Sequence, residues 1–417
     1  ASRDSRIFQA LRLTFQRSAH ARFLPPLSGQ THELAYTVLW LTFAAIFYFY
    51  GEARIMTSPV KVGIVGLGRW AKVLARAAAK SNKLKIVAGY SRSQEKRSAF
   101  EKELGISAAP DLKTLLADRE IKGVILTVPN EQHFPVAEEV AKAKKHIYTE
   151  KPIANTLEDG LRIEALQKQH GIQVVVGHSA RLLVGTRMIK QAIDRGELGR
   201  VAFIEANFSN ERALELTPKT WRWYKDKAPG GPLSQLAIHH FDALHYLGGE
   251  ISEVSSMASK LSPVGAEVDD QSMTLMRFAD GKVAYVGSCW TSPGVYAIRV
   301  FGSKGLMHYE IDFSTWDTPD VLHQTSTLYI QRGKDGYGKR EEIKLPAGDM
   351  FLDELEMFAE TCVSGKPCEL TASNGNVAVA VVYAALRSIE LKGQFVALRD
   401  VMDEARSKVS EHARQVA

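Results

Sequence analysis

The segment 236–247, LAIHHFDALHYL, places several side chains that can exchange protons on one predicted helix. Residues three or four positions apart share a helix face, so His239 lies on the same side as Asp242 and Gln235. A histidine with a pKa near neutrality is the usual side chain for accepting a proton from a substrate. His239 is therefore the candidate base, and the alternative is a core histidine. His240 points about 100° away from it and is expected to be structural.

Neither this helix nor the cysteines indicate a metal site. His239, His240, Asp242 and His245 include metal-binding residue types, but no further carboxylate cluster accompanies them. The three cysteines, at positions 289, 362 and 368, are odd in number and lack CxxC spacing, which argues against both a zinc site and a disulfide framework. We expect no metal and a reducing compartment.

A strand, a glycine turn and a helix follow one another from Val60 in the order that a dinucleotide-binding site requires. The β-branched run 60–65 leads into Gly66-x-Gly68-x-x-Ala71, with Arg69 and Trp70 inside the loop. Gly66 allows the tight turn, and Gly68 lets backbone N–H groups approach a pyrophosphate. Ala71 is small enough for close packing of the helix on the strand. The segment predicts a nicotinamide dinucleotide site, and the alternative is an ordinary turn.

The end of the second predicted strand indicates which dinucleotide is bound. Ser91 and Arg92 stand where a site that prefers NAD normally has an acid for the ribose 2′-hydroxyl. A hydroxyl and a guanidinium can instead bind a 2′-phosphate, and Arg69 can reinforce that contact. We therefore expect NADP(H). NAD remains the alternative, with Arg92 then a solvated residue at a helix start.

A second chemical group follows the predicted strand 146–149, in the sequence Thr149-Glu150-Lys151-Pro152. Open α/β sheets bind ligands at the carboxyl ends of their strands. An ammonium group beside a cationic nicotinamide should have a lowered pKa, and it can donate a hydrogen bond to an oxygen that becomes a carbonyl. Lys151 is the candidate for that role. The alternative is a surface salt bridge with Glu150.

The elements that must position these residues fall into two groups. Strands and helices alternate up to about residue 150, which predicts a doubly wound parallel sheet. Beyond residue 181, seven strand-length runs and the Asp280-Gly281 turn predict a mainly antiparallel sheet, closed by helices at 351–363 and 375–392. The predicted domains are a dinucleotide-binding domain at 57–180 and a substrate-binding and oligomerisation α/β domain at 181–417, after an extension at 1–56.

Four ordered motifs make the chain resemble the glucose-fructose oxidoreductase, inositol dehydrogenase and rhizopine-catabolism family, Gfo/Idh/MocA. They are GLGRWA from Gly66, TVPNEQH from Thr127, EKP from Glu150 and GGPLSQLAIHHFD from Gly230, and the resemblance spans about residues 60 to 398. It implies a Rossmann domain followed by an α/β domain whose open sheet often forms an oligomer interface. It also implies oxidation or reduction at a secondary hydroxyl or carbonyl of a sugar, sugar derivative or polyol.

The resemblance also implies roles for single residues. Lys151 matches the lysine near the nicotinamide, and Glu150 matches a residue that shapes its loop. His239 matches the catalytic histidine. Three further residues match a stretch that passes close to the cofactor: Pro129, Asn130 and His133.

One position departs from the family pattern, which has Asp where this chain has Gln235. Glutamine cannot hold a charge or relay a proton, so His239 lacks its usual acidic partner. Ahead of the GGP turn, Trp221 and Arg222 offer a stacking face and a cation for a sugar ring, unless this loop only packs on itself. Arg181, Gln235 and Asp242 complete the candidate substrate residues.

Composition limits the remaining function classes. The 417 residues are 45% hydrophobic and 24% charged, with a net charge of +6. No Lys/Arg block marks a nucleic-acid-binding arm, so no nucleic-acid partner is expected. The apolar segment 34–50 follows an arginine-rich stretch and could be a membrane anchor. Since Met56 resembles the start of a soluble protein, we instead expect residues 1–55 to lie outside the native chain and the enzyme to be cytoplasmic.

The sequence thus predicts an NADP(H)-dependent oxidoreductase that works as a homo-oligomer, with Lys151 and His239 carrying the chemistry. Two alternatives stay open at this point. One is an NAD-dependent dehydrogenase of inositol type. The other, suggested by Gln235, is a cofactor-binding sensor or scaffold with weak or no turnover.

Overall fold

Five short apolar runs form a parallel sheet in the computed structural model. Its strands lie in the order β2-β1-β3-β4-β5. Their bounds are β1 (Val60–Val65), β2 (Leu84–Tyr90), β3 (Gly123–Leu126), β4 (His146–Glu150) and β5 (Val174–Gly177). Strands β1, β3, β4 and β5 are buried along most of their length, as expected for a sheet covered on both faces, whereas the edge strand β2 has three buried residues of seven. This confirms the predicted doubly wound sheet, to which β5 is added.

The structure describes residues 58–316, 318–333 and 339–416, apart from the side chains of Ser314 and Val416. The predicted extension 1–56 and its apolar segment 34–50 therefore lie outside the described residues. None of the helices within these three ranges is long and apolar enough to cross a bilayer.

Six helices connect and flank the first sheet and lead into the second. They are α1 (Arg69–Ala78), α2 (Gln94–Leu104), α3 (Leu112–Ala117), α4 (His133–Lys142), α5 (Leu157–His170) and α6 (Val184–Asp194). Side-chain oxygens cap three of them: Ser93 caps α2, Asp111 caps α3 and Thr156 caps α5. Left-handed Gly105 and Gly171 end α2 and α5, so short polar and glycine signals set these boundaries.

The second sheet has nine strands in the order β13-β12-β11-β10-β6-β9-β8-β7-β14. Only the β6–β9 pair is parallel among these described strands. The bounds are β6 (Val201–Ser209), β7 (Ile251–Ser259), β8 (Gln271–Phe278), β9 (Val283–Cys289), β10 (Val295–Gly302), β11 (Gly305–Asp312), β12 (Ser326–Arg332), β13 (Arg340–Glu342) and β14 (Val396–Ala397). The predicted antiparallel sheet is confirmed, with one parallel pair inside it.

Five more helices complete the fold. They are α7 (Ile238–Gly248), α8 (Leu322–Thr325), α9 (Met350–Ser364), α10 (Ala372–Glu390) and α11 (Leu398–Val416). Helix α10 packs against β7, α7 and α5, so it joins the two sheets. Helix α9 packs against α1, β1, β2 and β4 of the first sheet, although the sequence pattern suggests that it closes the second domain. The boundary at 180/181 therefore stays a prediction.

Candidate active site

The glycine turn has the shape that a dinucleotide requires. Gly66 has φ +100°, and a Cβ there would lie 2.7 Å from the carbonyl carbon of Thr127. The Thr127 hydroxyl donates to the Gly66 carbonyl at 2.7 Å and closes the turn. A Cβ at Gly68 would meet no atom within 4 Å, so the space above the start of α1 is open.

The start of α1 is suited to a phosphate group. No side chain caps it, and its first turn contains no acid, so its backbone N–H groups remain available to an anion. Ala71 is fully buried under this turn, while Arg69 is exposed beside it. Trp70 instead packs edge-on against Phe351, with 5.2 Å between ring centroids. The residues of this turn fit a dinucleotide, although Trp70 is also part of the packing between α1 and α9.

The end of β2 presents the residues predicted to hold a 2′-phosphate. Ser91 is half-buried and Arg92 is exposed, between the last residue of β2 and the Ser93 cap. Arg97, which is not among the predicted cofactor residues, holds this loop. The Arg97 guanidinium donates to the backbone carbonyls of Ser91, at 2.5 Å, and Arg92, at 3.3 Å. Its position one helical turn after the Ser93 cap is the signal that could have found it.

The structure corrects the role expected of His133. Its side chain is fully buried, Nε2 lies 3.0 Å from the Val128 carbonyl, and Nδ1 lies 3.0 Å from the Pro152 carbonyl. Burial lowers its pKa, and backbone carbonyls oppose that change. His133 therefore ties two loops together and offers no side-chain contact to a cofactor. Its predicted neighbours Pro129, exposed, and Asn130, half-buried, lie at the surface of the same loop.

Glu150 ends β4, and Lys151 follows it through a cis peptide bond to Pro152. The lysine Nζ donates to the Gln235 backbone carbonyl at 3.0 Å. Burial lowers the pKa of Lys151, and the positive charges of Arg222 and Arg212 lower it further. The negative charge of Glu150 has the opposite effect and raises it. Burial raises the pKa of Glu150. The surface salt bridge with Glu150, which was the alternative for Lys151, would need both groups in solvent, whereas Glu150 is 8% exposed and Lys151 is half-buried.

His239 reaches the same region from the second sheet's side of the molecule. Residues 233–237 form a π-helical turn that runs directly into α7. Such turns often occur at functional sites. His239 is nearly buried, and its Nδ1 has no hydrogen-bond partner among the described residues. Burial lowers its pKa well below the usual value, and the Lys151 charge is the next contribution. His239 is therefore uncharged near neutral pH, and its affinity for a proton is lower than that of a free imidazole.

Arg181 and Asp242 do not face a substrate, contrary to the sequence prediction. They form a bidentate ion pair, with Arg181 Nε 3.0 Å from Asp242 Oδ2 and Nη2 2.6 Å from Oδ1. Both side chains are almost fully buried. Arg181 also donates to the Glu369 carbonyl at 3.0 Å. Since each group already satisfies the other, the pair fixes α7 against the end of β5 and is structural.

Arg222 is half-buried and Gln235 is buried, and both lie near Lys151. Arg222 Nε donates to the Gln235 Oε1 at 3.3 Å, and its guanidinium lies 4.2 Å from the Trp221 ring centroid. Burial lowers the pKa of Arg222 to about 10, and the charges of Arg212 and Arg69 contribute. Trp221 therefore stacks on Arg222, and its availability to a sugar ring is reduced on that side.

His178 belongs to this region but was not found by sequence analysis. It follows β5, is almost fully buried, and neither ring nitrogen has a partner among the described residues. Burial lowers its pKa to about 4, with opposing effects from the charges of Asp242 and Arg181. A lone histidine at the carboxyl end of a buried strand was the available signal. His240 is fully buried, with its ring 4.4 Å from that of Tyr296, and its structural role stays a prediction.

The chemical groups of the site therefore come from two parts of the fold: a glycine turn and a half-buried lysine from the first sheet, and a histidine from helix α7. In the three described ranges, no group of three or more His, Cys, Asp or Glu residues is arranged to hold a metal ion. These features define an NAD(P)-binding oxidoreductase of the Rossmann class.

Comparisons with known proteins agree with this class. Residues 60–178 match the family described as the oxidoreductase family with a NAD-binding Rossmann fold, GFO_IDH_MocA. Residues 186–308 match the GFO/IDH/MocA C-terminal domain. The chain belongs to the Gfo/Idh/MocA oxidoreductase family.

Three relatives illustrate the range of the family. A solved structure from Desulfitobacterium hafniense DCB-2, provisionally described as an NADPH-dependent oxidoreductase, is 39% identical, with a TM-score of 0.80, and the match covers 83% of this chain and 100% of that one. Myo-inositol 2-dehydrogenase from Thermotoga maritima is 25% identical over 80% of this chain and 97% of its own length. Levoglucosan dehydrogenase from Pseudarthrobacter phenanthrenivorans is 28% identical over 49% of this chain and 60% of its own length.

Proposed function

We propose that the protein is an NADP(H)-dependent oxidoreductase that acts on a secondary hydroxyl or carbonyl of a sugar, sugar derivative or polyol. The observation that carries this proposal is the contact between Lys151 Nζ and the Gln235 carbonyl, 3.0 Å, which brings the end of β4 to the turn before His239. The named relatives act on myo-inositol and levoglucosan, and both names support a polyhydroxylated substrate.

The roles of the two residues follow from their surroundings. The cofactor, when bound, supplies or accepts the hydride. Neutral His239 takes the hydroxyl proton at a ring nitrogen, and its unpartnered Nδ1 is a buried polar atom that a ligand would satisfy. Lys151, in its ammonium form, donates a hydrogen bond to the oxygen that becomes the carbonyl. Arg181 and Asp242 are occupied by their ion pair, so Gln235 and Arg222 remain as the proposed substrate contacts. Trp221 supports Arg222.

The preference for NADP(H) is supported by Ser91 and Arg92, by the absence of an acid between β2 and the Ser93 cap, and by the description of the Desulfitobacterium relative. Arg92 is solvent-exposed, so a 2′-phosphate can reach it. An NAD-dependent enzyme of inositol type is the second candidate, and the match to myo-inositol 2-dehydrogenase favours it.

The first experiment is a fluorescence titration of the full chain with NADPH and with NADH. Arg92→Ala should weaken NADPH binding about tenfold through loss of a charge-assisted hydrogen bond and leave NADH binding almost unchanged. Arg399→Ala, an exposed arginine on α11, is the matched control. Equal binding of both cofactors by the unchanged protein would favour the NAD-dependent candidate.

The second experiment follows hydride transfer at the nicotinamide absorbance in a single turnover with a panel of sugars, sugar derivatives and polyols. Oxidation or reduction of any of them supports the enzyme. Tight cofactor binding without turnover by any of them would instead support a sensor or scaffold.

A second copy of the chain is the proposed partner for the outer face of the nine-stranded sheet. Met257 on β7 and Met273 and Leu275 on β8 are exposed large apolar side chains on that sheet. Met276, in contrast, is buried on the inner face, and Trp290 is buried at the end of β9. Light scattering of the unchanged protein and of Met273→Lys tests this, since a charge there should shift a dimer toward monomer.

The cytoplasmic location remains a prediction, based on the need to recycle the cofactor.

A further inference from the structure

A tyrosine hydroxyl lies between two carboxyl groups beneath the Lys151 loop. Tyr148 Oη is 2.7 Å from Glu354 Oε1 and 3.1 Å from Glu150 Oε1. Tyr148 and Glu354 are fully buried, and Glu150 is 8% exposed. Glu354 comes from α9, the helix that packs on the first sheet, so this contact joins the end of β4 to a segment 206 residues away.

The number of hydrogens available limits the charge that this group can hold. A phenol has a single O–H, so Tyr148 can donate to only one of its two carboxyl neighbours. The other Glu354 oxygen, Oε2, is buried without a partner among the described residues. Two ionised carboxylates that share one donor in the interior would repel each other at low dielectric. One of the two carboxyl groups therefore carries a proton.

The surrounding charges indicate which group carries it. The positive charge of Lys151 favours an ionised Glu150, and the Lys151 backbone N–H donates to Glu150 Oε2 at 3.3 Å. The titratable groups that act on Glu354 are all acids or the phenol. They are Glu150 and Tyr148 from β4, and Asp349 and Asp353 from the start of α9. The charged groups that act on Lys151 are Glu150, Arg222 and Arg212. The charge of Lys151 in turn acts on His178 and His239. A negative charge is thus favoured at Glu150 and disfavoured at Glu354.

The space for this arrangement depends on a glycine in the neighbouring strand. A Cβ at Gly177 on β5 would lie 2.3 Å from Tyr148 Oη and 3.2 Å from Glu150 Oε1. Any side chain at position 177 would therefore displace the phenol from between the two carboxyl groups.

We propose that Glu354 is a protonated positioning residue that donates to Tyr148, which in turn donates to ionised Glu150 beside Lys151. The chain of donors runs in one direction, from Glu354 to Tyr148 to Glu150, and successive hydrogen bonds in one direction strengthen each other. Its effect is to keep Glu150 anionic and in place, and an anionic Glu150 keeps Lys151 in its ammonium form. The consequence for Lys151 rests on the proposed function, whereas the location of the proton does not.

Infrared spectroscopy of the full chain tests the location of the proton without any activity. Protein labelled with ¹³C at the glutamate carboxyls should show the C=O stretch of a protonated carboxylic acid near neutral pH, with a shift in D₂O. Glu354→Gln should remove this band, and Glu150→Gln should keep it. A band that persists in Glu354→Gln and disappears in Glu150→Gln would overturn the proposal, as would its absence from the unchanged protein.

The pH profile of kcat/KM, measured for a substrate of the unchanged enzyme, tests the effect on Lys151. Tyr148→Phe removes the donor to Glu150, so the alkaline limb should move to lower pH by about one unit. Glu354→Gln should move the alkaline limb by only a small fraction of a unit, because an amide N–H can donate to Tyr148 as the acid does. An unmoved limb in Tyr148→Phe, or equal movement in both variants, would contradict the positioning role. If the enzyme shows no turnover at all, the infrared result still decides where the proton lies.

Discussion

The two ends of the proposed cofactor site differ in how they are built. At the end of β2, Ser91 is half-buried and Arg92 is exposed. The loop that contains them is held by Arg97 from α2, the helix that follows. At the end of β4, Lys151 contacts a carbonyl 84 residues away, and burial shifts its pKa. The first end depends on local sequence and solvent-exposed charge, and the second on long-range packing.

This difference has a consequence for how the two ends respond to change. Exposed charges are screened by water and salt, so single substitutions at the β2 end should alter binding modestly. Buried groups at the β4 end have no solvent to replace a lost partner, so substitutions there should have large effects on rate or stability. The predictions below test this contrast.

The largest effect is expected from His239→Ala. Loss of the proposed proton acceptor should lower kcat by about 10²- to 10⁴-fold while cofactor affinity stays the same, because His239 comes from the second sheet's side of the site. Rapid-mixing measurements of hydride transfer, paired with a cofactor titration, separate the two effects. His245→Ala, a half-buried histidine in the last turn of the same helix, is the control. A normal rate in His239→Ala would remove this residue from the mechanism.

A large loss of stability is expected from Asp242→Asn. The substitution leaves the Arg181 charge buried without its partner and should lower the free energy of unfolding by about 3 to 5 kcal/mol. The exposed pair Arg387–Glu404 offers a matched comparison, and Glu404→Gln should cost less than about 1 kcal/mol. Urea midpoints and slopes for the three proteins measure this. Equal costs at the two pairs would mean that the Arg181–Asp242 pair is not buried in solution.

Acid should destabilise the buried end through its neutral histidines. The folded-state pKa of His178 and that of His240 are each lowered to about 4, with burial as the main cause. As pH falls below the ordinary value of about 6.5, the unfolded chain takes up protons that the folded chain does not, so stability is lost between about pH 6.5 and 4. Each histidine should contribute on the order of 3 kcal/mol over that window.

His240→Phe should reduce this dependence, because a phenyl ring can keep the contact with Tyr296 but cannot be protonated. Unfolding midpoints at about pH 7 and about pH 5 should lie closer together in this variant than in the unchanged protein. His412→Gln, at an exposed position on α11, should leave the difference unchanged. An identical pH dependence in His240→Phe would show that His240 titrates normally in the folded state.

The elements predicted correctly were those with local signals. The glycine turn at Gly66, the strands of both sheets and the alternation of strand and helix depend on residues close in sequence. These features locate Lys151 and His239 without any tertiary information.

The errors share a physical cause. Arg181 and Asp242 each look like a polar residue available to a ligand, and only their approach across 61 positions shows that they satisfy each other. His133 lies within a predicted cofactor stretch, but three backbone carbonyls, from Val128, Pro152 and Ile153, surround its ring. The role of Glu354 depends on α9 packing on the first sheet, which no local pattern shows. Partners and burial, rather than residue type, decide these roles.

The smallest effect is expected at the exposed end, from Arg97→Ala. Arg97 donates to the carbonyls of Ser91 and Arg92, so its loss should loosen the loop and weaken NADPH and NADH binding alike, by about fivefold. Arg92→Ala should instead weaken NADPH binding selectively. Lys96→Ala, an exposed neighbour on α2, controls for lost positive charge. Selective loss of NADPH binding in Arg97→Ala would mean that its guanidinium contacts the 2′-phosphate directly. The β2 end would then carry two phosphate-binding arginines, and a loop-supporting role for Arg97 would be wrong.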